Sequence, residues 1–550
     1  MDCRAHWRGR ERFTIYAAGF DANALAQWHA QCVAEWRADP ERPRHLHLIA
    51  SADSPLPGFE RQLQSDAAIT FDRLYVPPQA ALSQLRARID GVCIAPGCTV
   101  DTRFATSLAR LLARDAVLDA PSLDAQSVDA LRATGWVFEE PDAARFATRK
   151  PISPAPPAPA RSAIVIGAGL AGAAACERLC ARGWQVTLVE RHPAAAMEAS
   201  GNLAGITMPL LSKDDNQASR LSRAAFLFAR AYWAQLGGVG ENIEGANCGV
   251  VLAARDAAHA LLQRSIAAAQ AMPTGYAQWF EPDAARARFG AVAPHGAWWF
   301  EQGSWIRPGS AIDAMLAACG ERLTTRFGVG EVSLERSGDQ WQVRGADGEV
   351  IARAPTVIVA SGGGAVAQTA SLPLDRVRGQ VTHLASEAAP ELAFVLCREA
   401  YLTPPAGGLH SMGATYDIDD DPAVRQSSQD ENLSNLRSML DNDTLANNAP
   451  LAGRVGFRAV APDRLPMVGA VPDPGFDLGA ERLRELPRQS GLFALLGYAS
   501  RGLTWAPLAA ELLAASLEGE PLPLPGELVD ALDPGRFLLR ERRTSRQRRS

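Results

Sequence analysis

One stretch, residues 162–191, constrains the fold of this chain more than any other. An apolar run from Ala163 to Ile166 is followed by Gly167, Gly169 and Gly172 at the spacing G-x-G-x-x-G. The first glycine permits a tight turn, the second lets the backbone approach a pyrophosphate, and the third lets a helix pack closely on the strand. The stretch therefore predicts a Rossmann-type unit that binds a dinucleotide.

The same stretch continues as a helix and a second strand. A helical pattern covers Leu170–Arg182, Gly183 is a stop signal, and the strand Gln185–Val189 leads directly to Glu190. A carboxylate at this strand end accepts hydrogen bonds from a ribose, and the helix N-terminus presents unpaired N–H groups to phosphates. The alternative, that the glycines mark ordinary turns, is much weaker because both strands and the acid are in place.

Composition sets the class of protein. The chain has 550 residues, is 47% hydrophobic and 21% charged, and has a net charge of −6, which is typical of a globular protein with several domains. The nine cysteines are scattered and no histidine cluster accompanies them, so we expect no metal site, no disulfide framework and a cytoplasmic location. Met1–Ile15 has no signal-peptide core and no apolar run reaches membrane-spanning length, so we expect no membrane partner.

A proline-rich segment divides the chain. The sequence PISPAPPAPAR at 151–161 favours an extended, semi-rigid linker. We therefore predict an α/β domain at 1–150, a larger dinucleotide-binding domain at 162–539, and a basic tail at 540–550.

The N-terminal part alternates between strand and helix patterns, which predicts a small α/β domain with a mainly parallel sheet. Only Gly19 remains of the glycines that a nucleotide loop would carry after the first strand. The second strand ends in Ala50-Ser51-Ala52 where a ribose-binding acid would stand. This domain is therefore a degenerate Rossmann-like fold. The predicted strands are Phe13–Ala18, His45–Ala50 and Ile89–Ala95, the predicted helices Asn23–Trp36 and Thr102–Arg114, and the predicted closing hairpin Val137–Glu140 with Arg145–Thr148.

The C-terminal part contains further glycine-bearing stretches that suit a cofactor site. The loop Glu198–Gly205 is small and polar, and the strand Thr356–Ala360 ends in Ser361-Gly362-Gly363-Gly364. The turn Tyr498–Thr504 opens a helix whose N-terminus is expected to face the pyrimidine edge of a flavin. An ordinary strand-to-helix turn is the alternative there. A β-meander is predicted near 329–352, and a hairpin of Tyr401–Thr403 with His410–Thr415 in a second sheet.

Together these motifs resemble the D-amino-acid oxidase and glycine oxidase superfamily of FAD enzymes. The marks are the first glycine motif with Glu190, the strand end at Gly362, the strand that begins Arg378-Gly379-Gln380, and two late motifs. The resemblance covers Ser162 to about Leu539 and implies a doubly wound FAD domain plus an antiparallel-sheet substrate domain. The cofactor-binding residues that it implies are Gly167, Gly169, Gly172, Glu190, Ser200, Asn202, Gly362, Gly502 and Leu503.

More narrowly, three stretches resemble the bacterial bifunctional enzymes that modify the wobble uridine of tRNA. They are Ala199–Asn202, 456–466 and Tyr498–Thr504. In that family the FAD domain oxidatively removes the carboxymethyl group of 5-carboxymethylaminomethyl-uridine, and an N-terminal domain then methylates the amine with S-adenosylmethionine. The resemblance implies tRNA as a partner. The N-terminal domain departs from the family, with Ile94-Ala95-Pro96-Gly97 in place of Asp-Gly-Phe-Ala-Pro, so we expect weak or no S-adenosylmethionine binding.

The resemblance also implies two catalytic residues. Arg458 stands where the superfamily carries its substrate arginine, and a guanidinium fork matches the two oxygens of a carboxylate. Tyr401 opens a Tyr-x-x-Pro strand and is expected to donate its hydroxyl to the same carboxylate. The alternatives are a surface ion pair for Arg458 and core packing for Tyr401.

Other functions stay open on the sequence alone. The first is a glycine- or D-amino-acid-type amine oxidase that acts on small molecules without RNA. The N-terminal domain is alternatively a non-catalytic RNA-binding module or only a packing partner. The arginine-rich segment Arg536–Ser550 is either a solvated end or a contact for tRNA phosphates. The sequence leaves the electron acceptor and the oligomeric state open.

Overall fold

The structure, a computed structural model, divides the chain into two compact units. The first comprises Met1–Ala160 with Glu511–Asp530, and the second comprises Arg161–Ala510 with Ala531–Ser550. Among the described residues no helix is long and apolar enough to cross a membrane. Most of the predicted linker 151–161 lies outside the described residues, which are 4–54, 56–147, 160–364, 366–445, 451–473, 475 and 480–547.

The first unit is built on an eight-stranded sheet of order β3-β4-β2-β1-β5-β6-β8-β7. The five central strands run parallel and the outer three antiparallel, which confirms the mainly parallel sheet and the closing hairpin. Two clusters of buried apolar side chains form its core. Its elements before the linker are α1 (Arg4–Trp7), β1 (Arg12–Ala18), α2 (Ala22–Ala38), β2 (His45–Ser51), β3 (Gly58–Leu63), β4 (Ile69–Tyr75), α3 (Pro78–Gln84), β5 (Ile89–Ile94), α4 (Thr102–Ala109), β6 (Leu112–Asp119), α5 (Ala125–Thr134), β7 (Trp136–Glu140) and β8 (Ala143–Phe146).

One predicted element of this unit is wrong in its second half. The predicted helix Thr102–Arg114 ends at Ala109, and Leu112–Asp119 forms β6 beside β5. A strand in this position has most of its apolar side chains buried, and that burial overrides the local helical pattern.

The segment Glu511–Asp530 belongs to the first unit although it lies far away in sequence. Arg61 on β3 is fully buried and donates two hydrogen bonds to Asp72 on β4, at 2.8 and 2.7 Å. The same guanidinium donates to Glu511 Oε1 at 2.8 Å and to Pro521 O at 2.6 Å. A buried charge needs such partners, so this network fixes the late segment on the early strands.

The second unit contains a six-stranded sheet of order β17-β10-β9-β21-β28-β27. All neighbours pair in parallel except β27 and β28. Strands β10 and β21 flank β9 on opposite sides, so the carboxyl end of β9 is a topological switch point, where such sheets bind ligands. The elements of this sheet and its helices are β9 (Ser162–Ile166), α6 (Leu170–Ala181), β10 (Gln185–Val189), α10 (Pro308–Ala318), β17 (Leu323–Arg326), β21 (Thr356–Val359), β27 (Met467–Pro472), β28 (Arg488–Leu496), the first half of α12 (Gly502–Glu518) and α14 (Arg536–Gln547). The second half of α12 and most of α13 (Gly526–Leu532) belong to the late segment of the first unit.

A second eight-stranded sheet has the order β14-β15-β13-β23-β24-β25-β22-β26 and is mainly antiparallel. It confirms the two-subdomain architecture and the predicted pairing of β24 with β25. The predicted meander is also confirmed, as β18-β19-β20. The remaining elements of the unit are β11 (Gly205–Thr207), α7 (Gln217–Gln235), β12 (Gly245–Ala246), β13 (Val250–Ala253), α8 (Ala257–Ala269), β14 (Gln278–Phe280), α9 (Pro282–Phe289), β15 (Ala297–Phe300), β16 (Ser304–Ile306), β18 (Ser333–Ser337), β19 (Gln340–Arg344), β20 (Val350–Ala354), β22 (Asp375–Ala385), β23 (Val395–Cys397), β24 (Tyr401–Leu402), β25 (Leu409–Gly413), α11 (Gln426–Leu440) and β26 (Ala452–Val460).

The arginine-rich end of the chain begins as part of the fold. Helix α14 starts at Arg536, which is buried and donates to both oxygens of Asp463 at 2.9 Å. Arg540, one turn later, donates to Asp463 Oδ2 at 2.7 Å. The predicted basic tail at 540–550 therefore starts inside a helix that the motif residue Asp463 holds.

Candidate cofactor and substrate site

A cavity of about 750 Å³ lies at the carboxyl end of β9 and is lined by residues from both large sheets of the second unit. Ligand cavities usually have volumes of about 300–1,000 Å³. Of the predicted site residues, only Gly172 does not line it.

The glycine turn at the bottom of the cavity leaves no room for side chains. Gly167 has a φ of +106°, and a Cβ there would lie 2.6 Å from Ala360 O. A Cβ on Gly172 would clash with Gly167 O, so this glycine lets α6 press against the turn. The first turn of α6 thus presents backbone N–H groups without intrahelical partners to the cavity, which favours an anion such as a pyrophosphate.

Glu190 is buried and its carboxylate is held by two backbone groups. Ala168 N donates to Oε2 at 2.7 Å, and His192 N donates to Oε1 at 2.9 Å. Each carboxylate oxygen can accept a further hydrogen bond. Glu190 lines the cavity, so a ribose hydroxyl is a suitable donor for the remaining capacity.

The loop that carries Ser200 and Asn202 is fixed against the turn and against β26. Leu170 N donates to Ser200 Oγ at 3.2 Å, so this serine reaches the start of α6. Arg454 on β26 donates to Asn202 Oδ1 at 3.3 Å and to the carbonyls of Met197 and Glu198 at 2.8 and 2.7 Å. The sequence reasoning missed Arg454, whose only signal was its place two residues before Gly456.

The other predicted cofactor residues line the cavity at two further points. Gly362 has a φ of +60° and no atom near its missing Cβ, so this strand end is open. Gly502 begins α12, and a Cβ on it would lie 2.9 Å from Leu170 Cδ1. With Leu503 it brings the N-terminus of α12 to the same cavity as that of α6.

Arg458 and Tyr401, the predicted catalytic residues, both line the cavity. Nη1 of Arg458 donates to Thr415 O at 3.1 Å and to Arg378 O at 3.3 Å. Arg458 forms no ion pair with any residue that the structure describes, and burial lowers the pKa of its guanidinium. Burial also raises the pKa of Tyr401 to about 12, so its hydroxyl stays a proton donor. The arrangement suits an incoming carboxylate.

The strand motif Arg378-Gly379-Gln380 makes space for Arg458. Strands β22 and β26 pair so that Val377 lies opposite Arg458. A Cβ on Gly379 would clash with the guanidinium of Arg458. A glycine is therefore needed here for the position of a neighbouring side chain.

Arg501 lies in the predicted turn Tyr498–Thr504, and the sequence analysis assigned it no role. Arg501 lines the cavity, and burial lowers the pKa of its guanidinium. Within the described residues the guanidinium of Arg501 donates one hydrogen bond, to Met208 O at 3.3 Å. Within the described part of the chain neither Arg458 nor Arg501 forms an ion pair, and two largely buried cations at one cavity favour an anionic ligand.

The corresponding turn of the first unit is filled by side chains. Gly19, after β1, has a φ of +80°, and a Cβ there would lie 2.6 Å from Cys98 Cβ. At the end of β2, Ser51 Oγ shares a hydrogen bond of 2.8 Å with the hydroxyl of buried Tyr16. Asp21 accepts from Ala24 N at 2.8 Å and is the N-cap of α2.

In the part of the chain that the structure describes, no group of three or more His, Cys, Asp or Glu side chains could hold a metal ion. The described cysteines are free thiols.

The part of the chain that lines this cavity matches a known family. Residues 162–516 match the family model described as FAD dependent oxidoreductase. The chain is 38% identical to the tRNA 5-methylaminomethyl-2-thiouridine biosynthesis bifunctional protein of Azoarcus sp., over 98% of this chain and 92% of that protein. It is 36% identical to the protein of the same name from Paraburkholderia xenovorans, over 97% and 91%.

Two solved structures have a similar fold. Glycine oxidase from Geobacillus kaustophilus matches with a TM-score of 0.56 and 20% identity, over 68% of this chain and 97% of that chain. Iminodiacetate oxidase from Chelativorans sp. matches with a TM-score of 0.56 and 24% identity, over 68% and 98%. At these identities the likeness concerns the fold of the second unit.

Proposed function

The chain belongs to the FAD-dependent oxidoreductases and, within them, to the bifunctional proteins of tRNA 5-methylaminomethyl-2-thiouridine biosynthesis, and we propose that it removes the carboxymethyl group of 5-carboxymethylaminomethyl-(2-thio)uridine at the tRNA wobble position. The observation that carries the proposal is Arg458, a largely buried cation at the cavity that forms no ion pair with any described residue. The carboxymethyl arm of the substrate ends in a carboxylate, which can form the ion pair that Arg458 does not form within the described residues.

The residues of the cavity fit FAD. The N-terminus of α6, which packs closely on the turn through Gly167 and Gly172, suits a pyrophosphate. The N-terminus of α12 suits the edge of a flavin, and the buried Glu190 suits a ribose. FAD supplies a hydride acceptor for the carbon next to the substrate nitrogen when it is bound. We assign its contacts to Gly167, Gly169, Glu190, Ser200, Asn202, Gly362, Gly502 and Leu503, and to Gly172 the close packing of α6 on the turn.

The protein's own part in the reaction is to hold and orient the substrate. The guanidinium of Arg458 binds the carboxylate as a fork, and the protonated hydroxyl of Tyr401 donates to the same group. This fixes the methylene carbon between carboxylate and nitrogen. Loss of a hydride and a proton leaves a carbon–nitrogen double bond, and addition of water to it releases the two-carbon acid as an aldehyde and leaves the aminomethyl group on the uridine.

The first unit is not assigned a methyl transfer. Ser51 at the end of β2 is already hydrogen-bonded to Tyr16, and Cys98 occupies the space beside Gly19. S-adenosylmethionine needs its ribose and methionine to lie close to these strand ends. The expected product on tRNA is therefore the aminomethyl nucleoside.

Nucleoside analysis of tRNA tests the proposal. A strain without the gene should accumulate the carboxymethylaminomethyl nucleoside, and the restored gene should convert it to the aminomethyl form. Restoration with Arg458→Ala should leave the nucleoside unconverted. Identical nucleosides with and without the gene would contradict the proposal. Turnover of free glycine or sarcosine at rates comparable to that of tRNA would instead support a small-molecule amine oxidase.

A further inference from the structure

A loop beside the cavity exposes two large apolar side chains. The residues from Ala414 to Arg425, called here the Tyr416 loop, connect β25 to α11. Within it the side chains of Tyr416 and Ile418 are 54% and 89% exposed. Ile418 is the most exposed large apolar residue of the described chain. Exposed apolar residues close to a cavity often mark an interaction site.

Two arginine side chains, those of Arg378 and Arg425, hold the Tyr416 loop through hydrogen bonds. The buried guanidinium of Arg378 donates to Asp421 O at 2.9 Å, to Ala423 O at 2.7 Å and to Asp417 Oδ2 at 3.0 Å. Arg425 donates to both oxygens of Asp419, at 2.8 and 2.9 Å. These bonds restrain the loop on both sides of Ile418, and such restraint lowers the entropy cost of binding.

These ion pairs also neutralise the acidic run of the loop. Asp417 is paired with Arg378, Asp419 and Asp421 with Arg425, and Asp420 with Arg376 at 3.1 Å. Three guanidinium charges therefore offset most of the negative charge with which these four carboxylates would repel a polyanion.

The loop adjoins the candidate substrate arginine. Thr415, whose carbonyl accepts from Arg458, directly precedes Tyr416, and Ala414 lines the cavity. The guanidinium carbon of Arg458 lies 5.7 Å from the centre of the Tyr416 ring. A ligand held at Arg458 therefore has the Tyr416 loop next to it, and a second planar pair, Arg376 over Phe457 at 4.5 Å, also lines the cavity.

We propose that the Tyr416 loop is a stacking platform for a base of a single-stranded RNA loop, adjacent to the nucleotide whose arm reaches Arg458. This inference rests on the proposed function. Bases in unpaired RNA loops are recognised by stacking on aromatic rings, which is worth about 1–3 kcal/mol per base. Tyr416 supplies such a ring and Ile418 an apolar flank. A free amino acid held at Arg458 is too short to contact this exposed surface. The loop would therefore strengthen the binding of an RNA substrate and not that of a small amine.

The test compares two substrates in the full-length flavoprotein. One is an anticodon stem–loop RNA with the carboxymethylaminomethyl nucleoside at the wobble position, and the other is free sarcosine. For Tyr416→Ala we expect the KM for the RNA to rise at least about fivefold, since the loss of one stacked base has that minimum cost. For Ile418→Ala we expect a smaller rise in the same KM, because this side chain supplies only an apolar flank. Tyr416→Phe keeps the ring and should restore the wild-type KM. The matched control is Leu261→Ala, because Leu261 is 62% exposed on α8 and does not line the cavity.

A second readout reports stacking directly. A stem–loop with 2-aminopurine beside the wobble position should lose fluorescence on binding wild type, Tyr416→Phe and Leu261→Ala. Binding to Tyr416→Ala should quench it much less.

Each outcome decides the inference. RNA turnover by wild type with an unchanged KM in Tyr416→Ala and Ile418→Ala would overturn the platform while leaving the proposed function in place. An equal loss of turnover on RNA and on sarcosine would mean that the loop only supports Arg458, and it would overturn the platform. If the variants lose only the co-purification of another protein, the surface binds a protein partner, and this too would overturn the platform. A wild-type protein without activity on the RNA would remove the proposed function and the inference together.

Discussion

The turn after β9 and the turn after β1 occupy equivalent places in two sheets of similar design, but their surroundings differ. After β9, the missing side chains of Gly167 and Gly172 leave backbone N–H groups facing a cavity of about 750 Å³. After β1, the space beside Gly19 is taken by Cys98. A positive φ at a strand end is thus common to both turns, and only the packing around it decides whether a ligand has access.

The ends of the second strands differ in the same way. Glu190 uses its carboxylate to fix two backbone N–H groups and still faces the cavity. Ser51 is buried and bonded to Tyr16, whose burial raises the pKa of its hydroxyl to about 12. Polar groups that the protein itself has paired do not need a ligand. The comparison therefore predicts a cofactor in the second unit and none in the first.

The largest expected effect comes from closing the turn after β9. Purified wild type should be yellow with non-covalent FAD, and Gly172→Ala should be colourless because the new Cβ pushes α6 away from Gly167. The flavin-to-protein absorbance ratio measures this, with circular dichroism as a check of folding. Gly275→Ala is the matched control, since its Cβ would have no atom nearer than 3.7 Å. Full flavin content in Gly172→Ala would contradict the conclusion that close packing at the turn after β9 is needed for cofactor binding.

The next effect concerns the substrate end of the same cavity. Arg458→Ala should retain FAD and lose turnover, because a buried charged interaction with a ligand is worth about 2–5 kcal/mol. Arg458→Lys should recover only part of the activity, since the fork geometry is lost. Steady-state kinetics on the RNA substrate measures both variants, and near-normal turnover in Arg458→Ala would remove this residue from the site.

Gly379→Ala separates position from charge. It leaves the guanidinium in the chain but displaces it, since the new Cβ clashes with Arg458. We expect FAD binding as in wild type and turnover reduced toward that of Arg458→Ala, measured by steady-state kinetics with Gly275→Ala as control. Normal turnover in Gly379→Ala together with loss in Arg458→Ala would mean that the position of this side chain is not critical.

A smaller effect is expected at the end of α14. Truncation after Arg540 keeps the ion pair with Asp463 and removes the last arginines. We expect weaker tRNA binding and a flatter salt dependence, by about 0.7–0.9 units of slope for each phosphate that the protein no longer neutralises, with FAD content unchanged. Binding measured at several salt concentrations gives both values. An unchanged affinity and slope would show that this segment is only a solvated end.

The smallest expected signal is that of S-adenosylmethionine with the first unit. Calorimetry on the full chain should detect no binding at micromolar concentrations, because the strand ends of this unit are packed and paired. Micromolar affinity would contradict the comparison. It would also change the expected tRNA product from the aminomethyl to the methylaminomethyl nucleoside.

Local spacing made much of this protein predictable. The G-x-G-x-x-G turn, the strand that leads to Glu190, the meander and the hairpin of Tyr401 are each encoded within a few consecutive residues, and the structure has them with small shifts at their ends. Arg458 and Tyr401 were reached through the resemblance to a family, and their roles remain proposals. The strand β6 was missed because its residues also fit a helix, and only pairing with β5 decides between the two.

Tertiary structure alone decided which distant residues act together. Arg61 and Glu511 are 450 positions apart, yet the buried hydrogen bond between them places a late segment with the first unit. Three other features also depend on neighbours that no local sequence pattern indicates. They are the requirement for glycine at position 379, the single hydrogen bond of the Arg501 guanidinium within the described residues, and the hydrogen bonds from Arg378 to the Tyr416 loop. Sequence periodicity records the environment of a residue along its own element, whereas burial and charge pairing are set by elements that meet only after the chain has folded.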